Sequence, residues 1–124
     1  MSHTVVIYGA SESADSVLGE LTRAASERGG RLTVLALAVE EPEGRGCCDT
    51  RSVLWNGIAR EFAENDLARA RTAVEDVLEG GGSPIELGFE VLTHGGRRLG
   101  EAVEREALRR GASELVVADP RACG

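Results

Sequence analysis

Residues Thr4–Tyr8 read Thr-Val-Val-Ile-Tyr, a short apolar run that stops at the turn Gly9-Ala10-Ser11. A β-branched run without polar alternation is typical of a parallel strand that is buried on both faces. The amphipathic stretch Asp15–Arg28 follows at once. We therefore predict Thr4–Tyr8 as the central strand of an open sheet. The loop at its carboxyl end is where such sheets bind ligands.

The rest of the chain repeats this alternation of strand and helix. Apolar periodicity predicts helices at 13–28, within 51–79 and at 97–110, and further strands at 32–39, 85–92 and 115–118. The order β-α-β-α-β-α-β predicts a single α/β domain over residues 1–124, with an open parallel sheet between helices in three α/β/α layers, as in Rossmann-like folds. We expect residues 40–50, which contain Pro42 and two glycines, to form a flexible surface loop.

The strands differ in how polar they are, and this difference predicts their order. In residues 85–92, Glu86, Gly88 and Glu90 alternate with apolar residues, as in an edge strand with one wet face. The fully apolar first strand belongs at the centre, which gives the spatial order 3-2-1-4. The last strand, Leu115–Ala118, is apolar throughout and has no later strand to cover it. We therefore expect either that a second subunit pairs with it, giving a homodimer, or that the chain is a shortened version of a longer domain.

The long second helix and the N-terminus have less distinctive patterns. Seven apolar residues supply a recurring face that we expect to be buried, with Leu67 slightly off phase: Leu54, Ile58, Phe62, Ala70, Val74, Val77 and Leu78. Asn56-Gly57 is the expected point of a break. Trp55 fits either a half-buried anchor or a subunit contact. His3 is expected to belong to a flexible N-terminus.

Composition excludes several classes of function. The net charge is −7, which argues against nucleic acid as a partner. All fourteen basic residues are Arg, so a P-loop lysine and a Schiff-base lysine are both excluded. No apolar run reaches the length of a membrane span and no signal pattern opens the chain, so we expect a soluble cytoplasmic protein. Three cysteines with Cys47 and Cys48 adjacent indicate reduced thiols and no metal site.

Several segments together resemble the universal stress protein family, whose fold is of the adenine nucleotide α-hydrolase-like type. They are the first strand and turn Ile7–Glu12, the second strand Leu32–Val39, a variable loop before a long helix, and Gly111–Val117, which is similar to the family's entry into strand four. The resemblance covers nearly the whole chain. It implies a crevice at the strand ends lined by six residues, namely Gly9, Ala10, Ser11, Val39, His94 and Gly95.

The sequence departs from the ATP-binding members of that family at three points. Gly9 stands where they carry an Asp. Only six residues follow Ala118 here, which leaves no room for the family's glycine-rich phosphate run or for its fifth strand. Val39 matches the hydrophobic position near the base, a position that packing alone also explains. The resemblance therefore implies no firm cofactor, with ATP and AMP as the nucleotides to consider.

Two local motifs suggest other chemistry. The stretch Ser11–Ser16 has the outline of a pyrophosphatase loop, but Glu12 and Ser13 replace its two glycines, and a helix start rich in capping residues is the simpler interpretation. His94 precedes Gly95 and two arginines, which suits either an anion site or a glycine-permitted turn.

Three functions remain open from the sequence. The first is a dimeric regulatory or interaction module of the universal stress type that is not an enzyme. The second is a module that binds adenine nucleotide or another small ligand, and the third is a pyrophosphatase-loop ATP enzyme.

Overall fold

Seven elements alternate along the chain in a computed structural model that describes residues 2–39, 50–80, 85–94 and 98–118. They are β1 (His3–Tyr8), α1 (Glu12–Arg28), β2 (Arg31–Val39), α2 (Thr50–Glu79), β3 (Glu86–His94), α3 (Leu99–Arg109) and β4 (Glu114–Ala118). All seven were predicted, and their bounds differ from the predicted ones by only a few residues. The predicted loop 40–50 lies outside the described residues, apart from residue 50, which begins α2. Cys47 and Cys48 lie in the same undescribed stretch.

The four strands form one parallel sheet in the order β3-β2-β1-β4, as predicted. The side chains of β1 and β2 alternate between two buried clusters, which is why most residues of both strands are apolar. On one face Val6, Tyr8 and Val34 pack against α1 and α2. On the other face Ile7 and Leu35 pack against α3. The result is the three-layer α/β/α arrangement, with its core on both sides of β1 and β2.

The ends of α1 follow from its capping residues. Ser11 is the N-cap, and its hydroxyl oxygen accepts a hydrogen bond from the Ala14 N–H at 3.1 Å. Gly29 ends the helix in the left-handed conformation at a φ of 70°, and its N–H donates to the Ala25 carbonyl. Left-handed geometry costs glycine almost nothing because it lacks a Cβ.

The buried face of α2 is not the predicted one in its first half. The helix runs without a break past Asn56-Gly57. Its buried residues are Ala63, Leu67, Ala70 and Val74, whereas three of the residues predicted to be buried are exposed, namely Leu54, Ile58 and Phe62. Residues spaced by four drift around a helix of 3.6 residues per turn, so the earlier set turns away from the sheet. Leu54, Ile58 and Phe62 are therefore surface residues.

His3 is fixed in the fold, contrary to the expectation of a flexible N-terminus. Its ring is buried and lies 2.8 Å from the Thr33 hydroxyl and 3.1 Å from the Arg110 carbonyl oxygen. A carbonyl only accepts, so Nδ1 carries the proton that bonds Arg110. His3 thus joins β1 to β2 and to the turn before β4. A hydropathy pattern does not reveal this contact because both partners are distant in sequence.

No helix in the described part of the chain combines the length and the apolar character that a membrane span requires.

Candidate functional site

A cavity of about 280 Å³ lies at the carboxyl end of β2, under the first half of α2. Its lining comes from three elements: Leu37 and Val39 of β2, Leu99 at the start of α3, and six residues of α2, namely Trp55, Ile58, Ala59, Phe62, Ala63 and Asp66. Ligand sites in open parallel sheets lie at this edge, outside the carboxyl ends of the strands. The position and the apolar lining make this cavity the candidate site.

Val39 is the predicted site residue that the structure places in this cavity. His94 is its register partner on β3, so the two residues end adjacent strands at the same edge. His94 is partly buried and is not among the lining residues. Gly95 lies outside the described residues.

The other predicted residues lie at the end of β1 and are not among the lining residues of the cavity. Gly9 is buried, and its N–H donates to the Ala118 carbonyl at 3.3 Å, which continues the β1–β4 ladder. Ala10 is exposed. Ser11 uses its hydroxyl to cap α1. The main structural role of this turn is therefore to cap the N-terminus of α1.

Asp15, the carboxylate of the pyrophosphatase-loop hypothesis, is held by contacts within the fold. One of its oxygens accepts a hydrogen bond from the Tyr8 hydroxyl. The other accepts two from Arg69, at 2.7 and 3.0 Å. Burial alone would raise the pKa of Asp15, but the hydrogen bonds from Arg69 and Tyr8 hold that pKa below its ordinary value.

Tyr8 is the buried member of this cluster of three side chains. It ends β1 and is fully buried. Burial, followed by the hydrogen bond to the Asp15 carboxylate, raises the pKa of the Tyr8 phenol well above its ordinary value. The phenol therefore stays neutral and donates, and the cluster ties β1, α1 and α2 together.

Asp66 is the one charged side chain in the described lining of the cavity. It lies one turn before Arg69 on α2 and also acts on the Arg69 guanidinium. The contacts of Asp15 are the largest cause of the raised pKa of Arg69, and the Asp66 charge adds to them. Within the described ranges, no group of three His, Cys, Asp or Glu residues could hold a metal ion.

Trp55, Phe62 and Asp66 were not predicted as site residues. Both aromatic side chains are about half exposed or more, at 51% and 64%. In the structure, Trp55 and Phe62 lie off the stripe Ala63, Leu67 and Ala70 that faces the sheet, whereas the sequence pattern placed Phe62 on the buried face. Large apolar residues off the buried stripe of a helix mark a surface that has another use.

By sequence, no family model and no curated protein matches this chain. Solved structures do. A protein of the universal stress protein family from Burkholderia pseudomallei has a TM-score of 0.71 at 19% identity, over 98% of this chain and 84% of its own. A universal stress protein from Archaeoglobus fulgidus has a TM-score of 0.58 at 19% identity, over 94% of this chain and 74% of its own.

A third similar structure is a universal stress protein in complex with cAMP. It has a TM-score of 0.58 at 14% identity and covers 92% of this chain and 73% of its own. These matches agree with the resemblance seen in the sequence and with the strand order of the sheet. The chain has the fold of the universal stress proteins.

Proposed function

We propose that this chain is a regulatory or interaction module of the universal stress type that binds a small ligand and does not hydrolyse ATP. The observation that carries the proposal is the lining of the cavity at the end of β2, whose described side chains are apolar except for the Asp66 carboxylate. Phosphate sites need oriented N–H groups or cations. The described lining offers neither Arg nor His, and a carboxylate repels a phosphate group.

The start of α1 also disfavours a phosphate group. The N-terminus of a helix attracts anions through its unpaired N–H groups. Here the Ser11 hydroxyl already accepts from the Ala14 N–H. Glu12 and Asp15 place two acidic side chains in the first turn. The positive end of the helix dipole is thus already compensated by the protein's own groups.

Hydrolysis is tested by measuring phosphate release from ATP with magnesium present. We expect the rate to equal that of buffer alone, because no described group is placed to hold the phosphates. The control is Asp15→Asn, which removes the carboxylate of the pyrophosphatase-loop hypothesis. Phosphate release by the wild type that is lost in Asp15→Asn would contradict the proposal and favour the enzyme.

The module forms a dimer through β4 in this proposal. One edge of β4 pairs with β1, and no described strand pairs with the other edge. Val117 lies on this strand with 38% of its surface exposed. An unpaired apolar edge strand is a template for pairing with another chain. A second copy of the chain, adding its own β4, would bury it.

We expect sedimentation equilibrium to show a dimer whose dissociation constant rises about tenfold or more in Val117→Lys, since a charged side chain blocks edge pairing. Leu108→Lys is the matched control, because Leu108 is an exposed apolar residue on α3 at 78% exposure. A wild type that stays monomeric at every concentration would contradict the dimer, as would equal dissociation constants for the two variants.

The alternative function is binding of adenine nucleotide. The similar universal stress protein in complex with cAMP supports it, as does Val39 at the end of β2. The apolar cavity suits a base, while the Asp66 carboxylate opposes the phosphates. A nucleotide that displaces another ligand from the cavity would favour this alternative, and a nucleotide that does not displace it would favour the first function.

A further inference from the structure

We propose that the cavity at the end of β2 binds a neutral, apolar ligand with a body of about ten carbon atoms. This inference rests on the proposed function, because it names the class of ligand for the same site. Three features of the cavity carry it: exposed apolar side chains concentrated in its lining, a volume that fits such a body, and a described lining in which no charged group is free to pair with a ligand.

The exposed apolar surface of the described residues is concentrated in this lining. Eight large apolar side chains are exposed in the part of the chain that the structure describes, and four of them line the cavity: Val39, Trp55, Ile58 and Phe62. Apolar surface that remains in water favours the binding of a molecule that covers it. A ligand that fills the cavity contacts all four side chains and removes part of their surface from water.

The walls of the cavity come from three elements, which makes the site concave. Leu37 and Val39 lie at the end of β2, and Leu99 begins α3. The α2 wall includes Ala59 and Ala63, whose short side chains leave space between the helix and the end of the strand. A concave site with apolar walls is typical of small-molecule binding.

The volume of the cavity sets the size of the ligand. An apolar protein cavity of about 150 Å³ is large enough for benzene, which has six carbon atoms. The cavity at the end of β2 has a volume of about 280 Å³. It therefore accommodates a body of about ten carbon atoms, which is the size of two fused rings.

The described charges at the cavity favour a neutral ligand. Asp66 is the one charged side chain in the described lining, and it already has an interaction partner within the protein. Arg60, which follows the lining residue Ala59 in the chain, also has a partner. A charged group that leaves water loses its hydration, and this loss costs free energy unless the protein pairs with the charge. The described lining therefore disfavours both a cation and an anion.

Four probes test the inference. 1-Adamantanol, 1-adamantylammonium and adamantane-1-carboxylate share one ten-carbon cage and differ in charge, and cyclohexanol is a smaller neutral alcohol. Trp55 is the only tryptophan in the chain and lines the cavity, so its fluorescence reports binding. A rise in Tm is the second readout, because a ligand that binds only the folded protein stabilises it. We expect 1-adamantanol to bind about tenfold more tightly than each of the other three probes, since additional carbon atoms bury more apolar surface and a charge loses hydration.

Variants locate the binding in the cavity. Ala59→Leu fills part of the cavity with a protein side chain and is expected to weaken the binding of 1-adamantanol about tenfold. Ala68→Leu makes the same change at an exposed position of α2 outside the described lining and is expected to preserve the affinity. Phe62→Ala removes an exposed wall of the cavity, which spares the core, and is expected to weaken binding about threefold or more. Leu54→Ala is its control, because Leu54 is exposed on the same helix and lies outside the described lining.

Each outcome bears on a different claim. A charged probe or cyclohexanol that binds as tightly as 1-adamantanol, or more tightly, would overturn the neutral ten-carbon class and leave the proposed ligand-binding module standing. Unchanged affinity for 1-adamantanol in Phe62→Ala and in a folded Ala59→Leu would overturn the inference, because the probe would then bind elsewhere. No binding of any probe by either readout would overturn the inference and remove the cavity as the ligand site. Phosphate release from ATP tests the non-hydrolysing part of the proposed function separately.

Discussion

Replacing Leu35 with alanine is expected to lower the free energy of unfolding by about 3 kcal/mol. Leu35 lies in the middle of β2 and is fully buried. The face of the sheet to which it points is covered by α3, an 11-residue helix with Val103 and Ala107 as its buried residues. Neither side chain is large enough to fill the space that the leucine leaves. The variant therefore loses both transfer free energy and packing.

Chemical denaturation of the two proteins measures this difference. Leu108→Ala is the matched control, since it makes the same chemical change at an exposed position on α3 and is expected to cost less than about 0.5 kcal/mol. The slope of free energy against denaturant should stay the same in all three proteins. A Leu35→Ala cost below about 1 kcal/mol would contradict the placement of Leu35 in the core.

Asp15→Ala is expected to cost about 2 kcal/mol at neutral pH, the second largest effect. The change removes the hydrogen bonds that Tyr8 and Arg69 donate to this carboxylate. It leaves the buried Tyr8 hydroxyl without an acceptor, which costs about 1–3 kcal/mol. Arg69 is exposed, so water replaces the carboxylate as its hydrogen-bond partner, and the loss of the ion pair adds little to the cost. In a Tyr8→Phe background, Asp15→Ala should cost less, because no hydroxyl is then left unpaired.

The cost of Asp15→Ala should also depend on pH. The folded protein holds the pKa of Asp15 below its ordinary value of 3.8, so the unfolded chain takes up the proton first as the pH falls. The stabilisation by this carboxylate is therefore fully present above about pH 4 and is lost below it. The difference in stability between wild type and variant should be constant near neutral pH and should shrink in acid. A difference that grows below pH 4 would contradict the sign of the pKa shift.

The topology could be predicted because the residue pattern of a strand indicates whether one or both of its faces are buried. β1 and β2 are largely apolar on both faces since helices cover both faces, and residues 85–92 alternate because β3 lies at the edge. The ends of α1 could be predicted because Ser11 and Gly29 act locally. Structure that is set by neighbouring residues or by a regular apolar pattern can therefore be predicted from the sequence.

The features that could not be predicted depend on contacts that are distant in sequence. The buried face of α2 is set by where the helix meets the sheet. Leu67, which the pattern placed slightly off phase, is therefore buried, whereas Leu54, which the pattern placed on the buried face, is exposed. A 30-residue helix spans about 45 Å and a nine-residue strand about 30 Å, so part of α2 must overhang the sheet.

The candidate site also combines residues that the local pattern predicts with residues that only distant contacts bring together. Val39 could be placed at the cavity from the strand pattern, because the carboxyl ends of parallel strands lie at one edge. Trp55, Phe62 and Asp66 belong to the cavity only through the packing of α2 on β2. His3 and Asp15 are fixed by partners from other elements, and no spacing rule in the sequence links them.

The most direct test of the central claim, that the strand-end cavity is apolar and acidic and is not a phosphate cradle, is calorimetric titration of the protein with ATP and AMP. Titration at two temperatures guards against a binding enthalpy that happens to be near zero at one of them. We predict no heat of binding for either nucleotide at millimolar concentration. Micromolar affinity, with ATP binding more tightly than AMP, would contradict the account because the added phosphates would then gain contacts with the protein.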